Sequence, residues 1–138
     1  MKLDDFLKHI HSGGTLDTPE IFRFMDEMSN EPRRITFEIN NAYHTQEELR
    51  VLMSRLLDKP VYDTFKMFPP FYTDFGKNIT IGRNVFINAC CHFQDHGGVT
   101  LGDGCLIGHN VVFATLNHGI APDDRASMYP APITLGKN

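Results

Sequence analysis

The stretch Ile79-Thr80-Ile81-Gly82-Arg83-Asn84-Val85-Phe86-Ile87-Asn88 sets a beat of six, with an apolar residue at 81 returning at 87 and one at 79 returning at 85. Extended both ways, the outer row reads Phe75, Ile81, Ile87, Phe93, then Leu101, Ile107, Phe113, then Leu135. The row two positions earlier reads Ile79, Val85, Cys91, then Val99, Cys105, Val111, then Ile133. Both rows break together, by eight residues (93 to 101, 91 to 99) and by twenty-two (113 to 135, 111 to 133). Loops extruded from a regular coil keep phase in this way. A sandwich of alternating strands would explain period two but not a phase held through two breaks of unlike length.

A parallel β-helix of triangular cross-section has this period, because each hexad supplies one flat side and one corner and three hexads complete a turn. Glycine follows the apolar residue in Ile81-Gly82, Leu101-Gly102, Ile107-Gly108 and Leu135-Gly136, where a corner needs backbone angles that a side chain resists. Alternation sends Ile79 and Ile81 inward and Thr80 outward, and Val99-Thr100-Leu101 and Ile133-Thr134-Leu135 repeat it. Stacked turns then put Ile81, Leu101 and Leu135 in one interior column, Ile87 beneath Ile107 and Phe93 beneath Phe113, each turn burying its neighbour's apolar face.

The first half differs in kind. Every glutamate lies at or before Glu48, and the Val, Ile, Thr and Gly-rich half follows. The sequence predicts a helical segment over 1–68 and coils over 69–138, with a long loop at 114–132. Leu3, Phe6, Leu7 and Ile10 have helical spacing and stop at Gly13-Gly14. Thr18-Pro19-Glu20 caps a second helix with the stripe Ile21, Phe24, Met25 and Met28. Thr45-Gln46-Glu47-Glu48 is a capping box ahead of Leu49, Leu52, Met53, Leu56 and Leu57, bounded by Pro60. These stripes read as core or subunit packing, and Pro69-Pro70 as an extended entry into the first coil.

Thirteen basic and seventeen acidic residues give a formal charge of −4, which argues against a nucleic-acid partner. No apolar run approaches a membrane span, and the start Met1-Lys2-Leu3-Asp4-Asp5 lacks the apolar centre of a secretion signal, so a cytoplasmic protein is expected. Cys90, Cys91 and Cys105 are odd in number, have no CxxC spacing and fall on or beside the interior rows, so buried free thiols are expected.

A rigid solenoid that throws out one polar loop can present side chains accurately. The loop holds His118, Asp123, Asp124, Arg125 and Met128, and Thr115-Leu116-Asn117-His118-Gly119 places the histidine where the chain leaves the coil. Imidazole is the side chain best matched to taking a proton near neutral pH, although a loop histidine by itself is an ordinary surface residue. The shorter break, Phe93-Gln94-Asp95-His96-Gly97-Gly98, falls one coil below near the same edge. An aspartate there commonly bonds nearby amides, and Asn88 commonly just tolerates a corner.

The stretches Phe71-Tyr72-Thr73-Asp74-Phe75-Gly76, Ile79 to Asn84, Asn88 to Asp95, Thr115 to His118 and Pro132 to Asn138 carry a family pattern, as does Arg34-Ile35-Thr36-Phe37-Glu38-Ile39-Asn40 with the capping box after it. Through them nearly the whole chain resembles the hexapeptide-repeat acyltransferases of the maltose, galactoside and nodulation sugar O-acetyltransferase family. The resemblance implies a mainly β fold, a left-handed parallel β-helix of hexapeptide repeats preceded by an α-helical N-terminal segment, assembled as a homotrimer with acetyl-CoA and a sugar meeting between subunits. By position, His118 would be the general base and Asn88 the oxyanion donor. Asp95 would accept a hydrogen bond from a sugar hydroxyl, and Asp74, Phe86 and Met128 would line the acceptor pocket. Direct transfer needs no covalent intermediate and no metal. Some relatives carry a second acidic residue where this chain has His96, which bears on the acceptor. Family members continue with further coils that form much of the coenzyme A groove, so a chain stopping at Asn138 reads as a truncated form that binds acetyl-CoA poorly.

Two other readings compete. A metal enzyme like the gamma-type carbonic anhydrases would need three converging imidazoles, typically with an H-x4-H pair, whereas His92 and His96 have three residues between them and His109 lies nine before His118. A non-catalytic trimeric β-helix assembly module would need no chemistry at all.

Overall fold

Three parallel sheets wind around one another in the computed structural model, which describes residues 1–138. Their strands are β1 (Lys66–Met67), β2 (Phe71–Thr73), β3 (Ile79–Ile81), β4 (Phe86–Ile87), β5 (Cys91–Gln94), β6 (Val99–Leu101), β7 (Leu106–Ile107), β8 (Val112–Ala114) and, after a hairpin of β9 (Leu116–His118) and β10 (Met128–Pro130), β11 (Ile133–Leu135). The sheets are β1-β4-β7, β2-β5-β8 and β3-β6-β11, so every third coil strand stacks on the same side. This is the three-sided β-helix that the beat of six requires. The columns match the sequence reading: Ile81 pairs with Leu101 and Leu101 with Leu135, Ile87 with Ile107, and Phe93 with Phe113.

Phe75 corrects that reading. Thr73, not Phe75, stands against Phe93, and Phe75 leaves the coil to pack with Phe6 and Phe24. The six-residue step from 75 to 81 is therefore accidental. The short break already occurs in the first turn, where Thr73 to Ile81 is a step of eight like Phe93 to Leu101. Met67, Ile87 and Ile107 recur at intervals of twenty, and so do Thr73, Phe93 and Phe113. One turn thus consumes twenty residues, in sides of six, six and eight. The first rung, Lys66–Met67, also lies ahead of residue 69.

Four helices precede the coil: α1 (Leu3–His11), α2 (Pro19–Met28), α3 (Asn30–Asn40) and α4 (Gln46–Leu57). The caps of α2 and α4 form as expected, Thr18 Oγ1 accepting from the Ile21 amide and Thr45 Oγ1 from the Glu48 amide, each at 3.2 Å. The capping box stays half made. The Glu48 carboxylate turns to His44 Nδ1, at 3.2 Å, instead of the Thr45 amide. Helix α3 has no counterpart in the apolar stripes, because its buried face is Pro32, Ile35, Thr36 and Ile39 and mixes a proline and a threonine into the helical spacing.

The helices cover the open end of the first turn, whose strand edges would otherwise be bare. Asn40 takes both backbone groups of Phe71, donating Nδ2–H to its carbonyl and accepting its amide, each at 2.8 Å. Gln46 does the same for Met67, at 2.8 and 3.1 Å. On the third side the buried Lys77 ammonium donates to the Leu56 carbonyl at 2.9 Å and pairs with Glu31 at 3.0 Å. The largest core runs from Ile35 on α3 through α4 to Phe113 in the coil, and a second cluster joins Phe6, Ile10, Leu16, Ile21, Phe24 and Phe75. The three cysteines are free, with Cys91 and Cys105 buried and Cys90 half-buried. No helix is long and apolar enough to cross a membrane.

Candidate functional site

The two corners after β5 and β8 carry Asp95, His118 and Met128, three of the six candidates. Thr115 fastens them together: its hydroxyl donates to the Gln94 carbonyl and accepts the Gly97 amide at 2.8 Å, while its carbonyl accepts the Ala131 amide at 2.9 Å. The loop 114–132 therefore leaves and re-enters the coil at one point, directly over the short break. Inside the loop β9 and β10 pair antiparallel, His118 against Met128, and Met128 exchanges both backbone hydrogen bonds with Leu16 (2.8 and 2.9 Å). A loop that the sequence reads as one excursion is a hairpin tied to the N-terminal segment.

His118 is exposed, and its Nδ1 lies 2.9 Å from the Arg125 carbonyl oxygen. A carbonyl can only accept, so this bond puts the proton on Nδ1 and leaves the Nε2 lone pair free in the neutral ring. A backbone carbonyl, not a carboxylate of the loop, thus orients the ring. Asp124 instead accepts from the Tyr129 hydroxyl at 2.6 Å.

Asp95 is buried at this corner. Its carboxylate is 0% exposed and holds four donors of the chain: Oδ1 accepts from Thr73 Oγ1 (2.7 Å) and from the Phe75 and Gly76 amides (3.1 Å each), and Oδ2 from the Asn78 amide (3.2 Å). Oδ1 is saturated, and Oδ2 carries one bond. The eight-residue side explains why, since the extra residues of the turn below leave amides pointing upward and a carboxylate in the turn above collects them. Asp95 holds the corner in shape.

Asp74 and His96 are what that corner presents. With Asp26, Ser29, Arg33 and Thr73 they line a cleft of about 260 Å³ between α2, α3 and the coil. Partial burial raises the Asp74 carboxyl above the usual carboxylate range, and the nearby His96 opposes the shift. Burial pushes the His96 imidazole below its ordinary value, against the pull of Asp95 and Asp74. Its ring stacks on Phe75 at 5.2 Å, and its buried Nδ1 has no hydrogen-bond partner. Arg33, Asp26 and Ser29 are contributions that the sequence reading missed. They sit on α2, on α3 and at the junction between them, whose approach to the coil follows from tertiary packing alone.

Phe86 and Asn88 lie elsewhere, on β4 and at the corner after it. Phe86 is half-buried on the outer face, edge-on to Phe68 at 5.2 Å. The Asn88 Oδ1 accepts the Ala89 amide at 2.8 Å, which leaves its Nδ2–H donors free. Within one chain the candidates thus divide between two edges of the prism: Asp74, Asp95, His118 and Met128 on one, Phe86 and Asn88 on another. No three His, Cys, Asp or Glu side chains stand together as a metal-binding group. A hollow of about 290 Å³ walled by Leu57, Lys59, Tyr62 and Thr80 contains none of the candidates.

The sequence and the fold are both similar to those of known proteins. Over 108 residues the chain is 32% identical to galactoside O-acetyltransferase of Escherichia coli, covering 77% of this chain and 53% of that protein. Over 72 residues it is 39% identical to nodulation protein L of Rhizobium leguminosarum, covering 51% and 38%. The solved structure of a hexapeptide-repeat-containing acetyltransferase from Vibrio cholerae superposes with a TM-score of 0.79 at 26% identity, over 98% of this chain and 71% of that one. The chain is a relative of the hexapeptide-repeat acetyltransferases. The same Vibrio acetyltransferase has been solved in complex with acetyl coenzyme A, with a TM-score of 0.73 at 26% identity, over 95% of this chain and 70% of that one. No protein-family model matches the sequence. The chain spans about half the length of the curated relatives it matches.

Proposed function

We propose that the protein is an acetyl-CoA-dependent O-acetyltransferase acting on a sugar hydroxyl, a homotrimer of left-handed coils working in the cytoplasm. The observation that carries this reading is the Arg125 carbonyl on His118 Nδ1, which leaves Nε2 as the base. Nε2 takes the proton as the sugar oxygen attacks the thioester carbon. The tetrahedral intermediate then collapses, expelling the coenzyme A thiolate, which recovers the proton from the imidazolium. Asn88 donates Nδ2–H to the oxyanion, a charge present only on the way to and from that intermediate. Its amide is turned for the role by Ala89. Because Asn88 and His118 occupy different edges of one chain, the site closes between neighbouring copies, which supports the trimer. Asp74, with Met128 from one copy and Phe86 from the next, lines the acceptor pocket, and Asp95 fixes the corner beneath it.

The relatives' names and the Vibrio complex with acetyl coenzyme A support the co-substrate and the sugar class. Thiol release from acetyl coenzyme A, measured with a panel of sugars on the purified protein and on His118→Ala, tests the proposal. Sugar-dependent release that falls by a factor of about 10² or more in the variant is expected for a lost general base. Equal release from both proteins would remove His118 from this role.

A further inference from the structure

The carbonyl that orients His118 is itself held in place, and by side chains with no assigned role. Arg125 follows a single 3-10 turn, Pro122–Asp124, closed by the Asp124 amide on the Ala121 carbonyl and the Ser127 amide on the Asp124 carbonyl, each at 3.0 Å. The Gly119 amide reaches the Ser127 carbonyl at 3.1 Å and keeps the turn beside the histidine strand. Such an approach requires glycine, since a Cβ at 119 would collide with the carbonyl and carboxylate of Asp124. These are bonds of one turn to itself and its neighbour. The tie to the rest of the hairpin is the Tyr129 hydroxyl, which donates to Asp124 Oδ2 at 2.6 Å, the length of a charge-assisted bond.

Tyr129 is well placed for this. It lies on β10, opposite Asn117 on β9, and its neighbour Met128 is bonded through both backbone groups to Leu16. The hydroxyl thus reaches from the anchored part of the hairpin to a turn otherwise held by its own backbone bonds and by those to His118 and Gly119. We infer that Tyr129, acting through Asp124, is a positioning residue for His118: the hydroxyl–carboxylate bond holds the turn whose Arg125 carbonyl selects the Nδ1–H form of the ring. The pair also shifts in the sense that a shared proton demands. The Tyr129 hydroxyl, then Ser127, holds the Asp124 carboxyl below the usual carboxylate range, and Asp124 holds the phenol above its ordinary value.

The inference rests on the reading of His118 as the base, but its first test does not need activity. Nitrogen-15 NMR of the imidazoles in the whole chain, with His118 assigned by its loss in His118→Gln, reports the tautomer directly. The native ring is expected mostly in the Nδ1–H form. Tyr129→Phe, which removes one oxygen from an exposed side chain, is expected to lower the ratio of Nδ1–H to Nε2–H about fivefold, the factor one ordinary net hydrogen bond is worth. Asp124→Asn keeps an acceptor for Tyr129 and is expected to lose less than Asp124→Ala. An unchanged ratio in both Tyr129→Phe and Asp124→Ala overturns the inference. In the thiol-release assay Tyr129→Phe should lower kcat and leave KM for acetyl coenzyme A unchanged, and an effect on KM alone also counts against it. Absence of transfer by the native protein would refute the proposed function, while the tautomer ratio would still decide the role of Tyr129.

Discussion

The Asn40 side chain engages both the N–H and the C=O of Phe71 at 2.8 Å, so a side chain at the end of α3 stands in for the neighbouring strand that β2 lacks on that edge. Gln46 gives Met67 on β1 the same pairing. Replacing either amide by alanine leaves a donor and an acceptor of a half-buried strand unmatched. Each substitution should destabilise the protein by about 1–3 kcal/mol. Urea titration checks this, and the midpoint should fall with the slope unchanged.

Asp95→Ala should be far more costly than Asp74→Ala. The first strips four donors of a carboxylate that no solvent reaches, for which a loss of about 3–5 kcal/mol is expected. The second removes a partly exposed side chain that accepts no hydrogen bond within the chain and should change stability by less than about 1 kcal/mol. Thermal melts of the two variants separate a shaping role from a lining one, and equal losses would contradict the assignment.

His96 should make the fold sensitive to mild acid. Its folded value lies below its ordinary value of 6.5, so between those two values the unfolded chain binds the proton and the native state does not. Stability is therefore full above pH 6.5 and falls as the pH drops through the window below it. His96→Phe, which keeps a ring against Phe75, should flatten that part of the profile. Denaturant midpoints measured from pH 7.5 to 5 in both proteins check the sign.

Gly97→Ala should disturb the hairpin root. A Cβ there would meet the Thr115 carbonyl oxygen at 2.7 Å and that of Ala131 at 2.9 Å, the two ends of the loop. Backbone has little room to give, so a loss of about 1–3 kcal/mol is expected. Hydrogen exchange should locate the added opening at residues 114–132.

Much of the coil was open to reading in the sequence, because each inward residue has one interior column to occupy and a slip by one would turn every side chain out. The same logic misled at Phe75, whose six-residue distance from Ile81 imitates a column while its ring belongs to the α1–α2 cluster. Helix α3 was missed because proline and threonine stand on its buried face, where tertiary contacts override propensity. At the site, the place of His118 at the edge over Asp95 follows from the two breaks. The engagement of Asp95 by backbone amides does not, for it depends on which amides of the turn below happen to face it. Nor does Arg33, which reaches the cleft by how a helix lies on a sheet, a matter on which local spacing is silent.

A period of twenty residues per storey, interrupted by the hairpin loop alone, turns the protein into a ruler. Duplicating 79–98 would lengthen the prism by one strand spacing, about 4.8 Å, and keep every later side chain on its own face. The hairpin would rise with it, while Leu16, rooted between α1 and α2, would stay where it is. The partnership of Leu16 with Met128 therefore gauges the number of storeys between the helical base and the imidazole, and it accepts only one height.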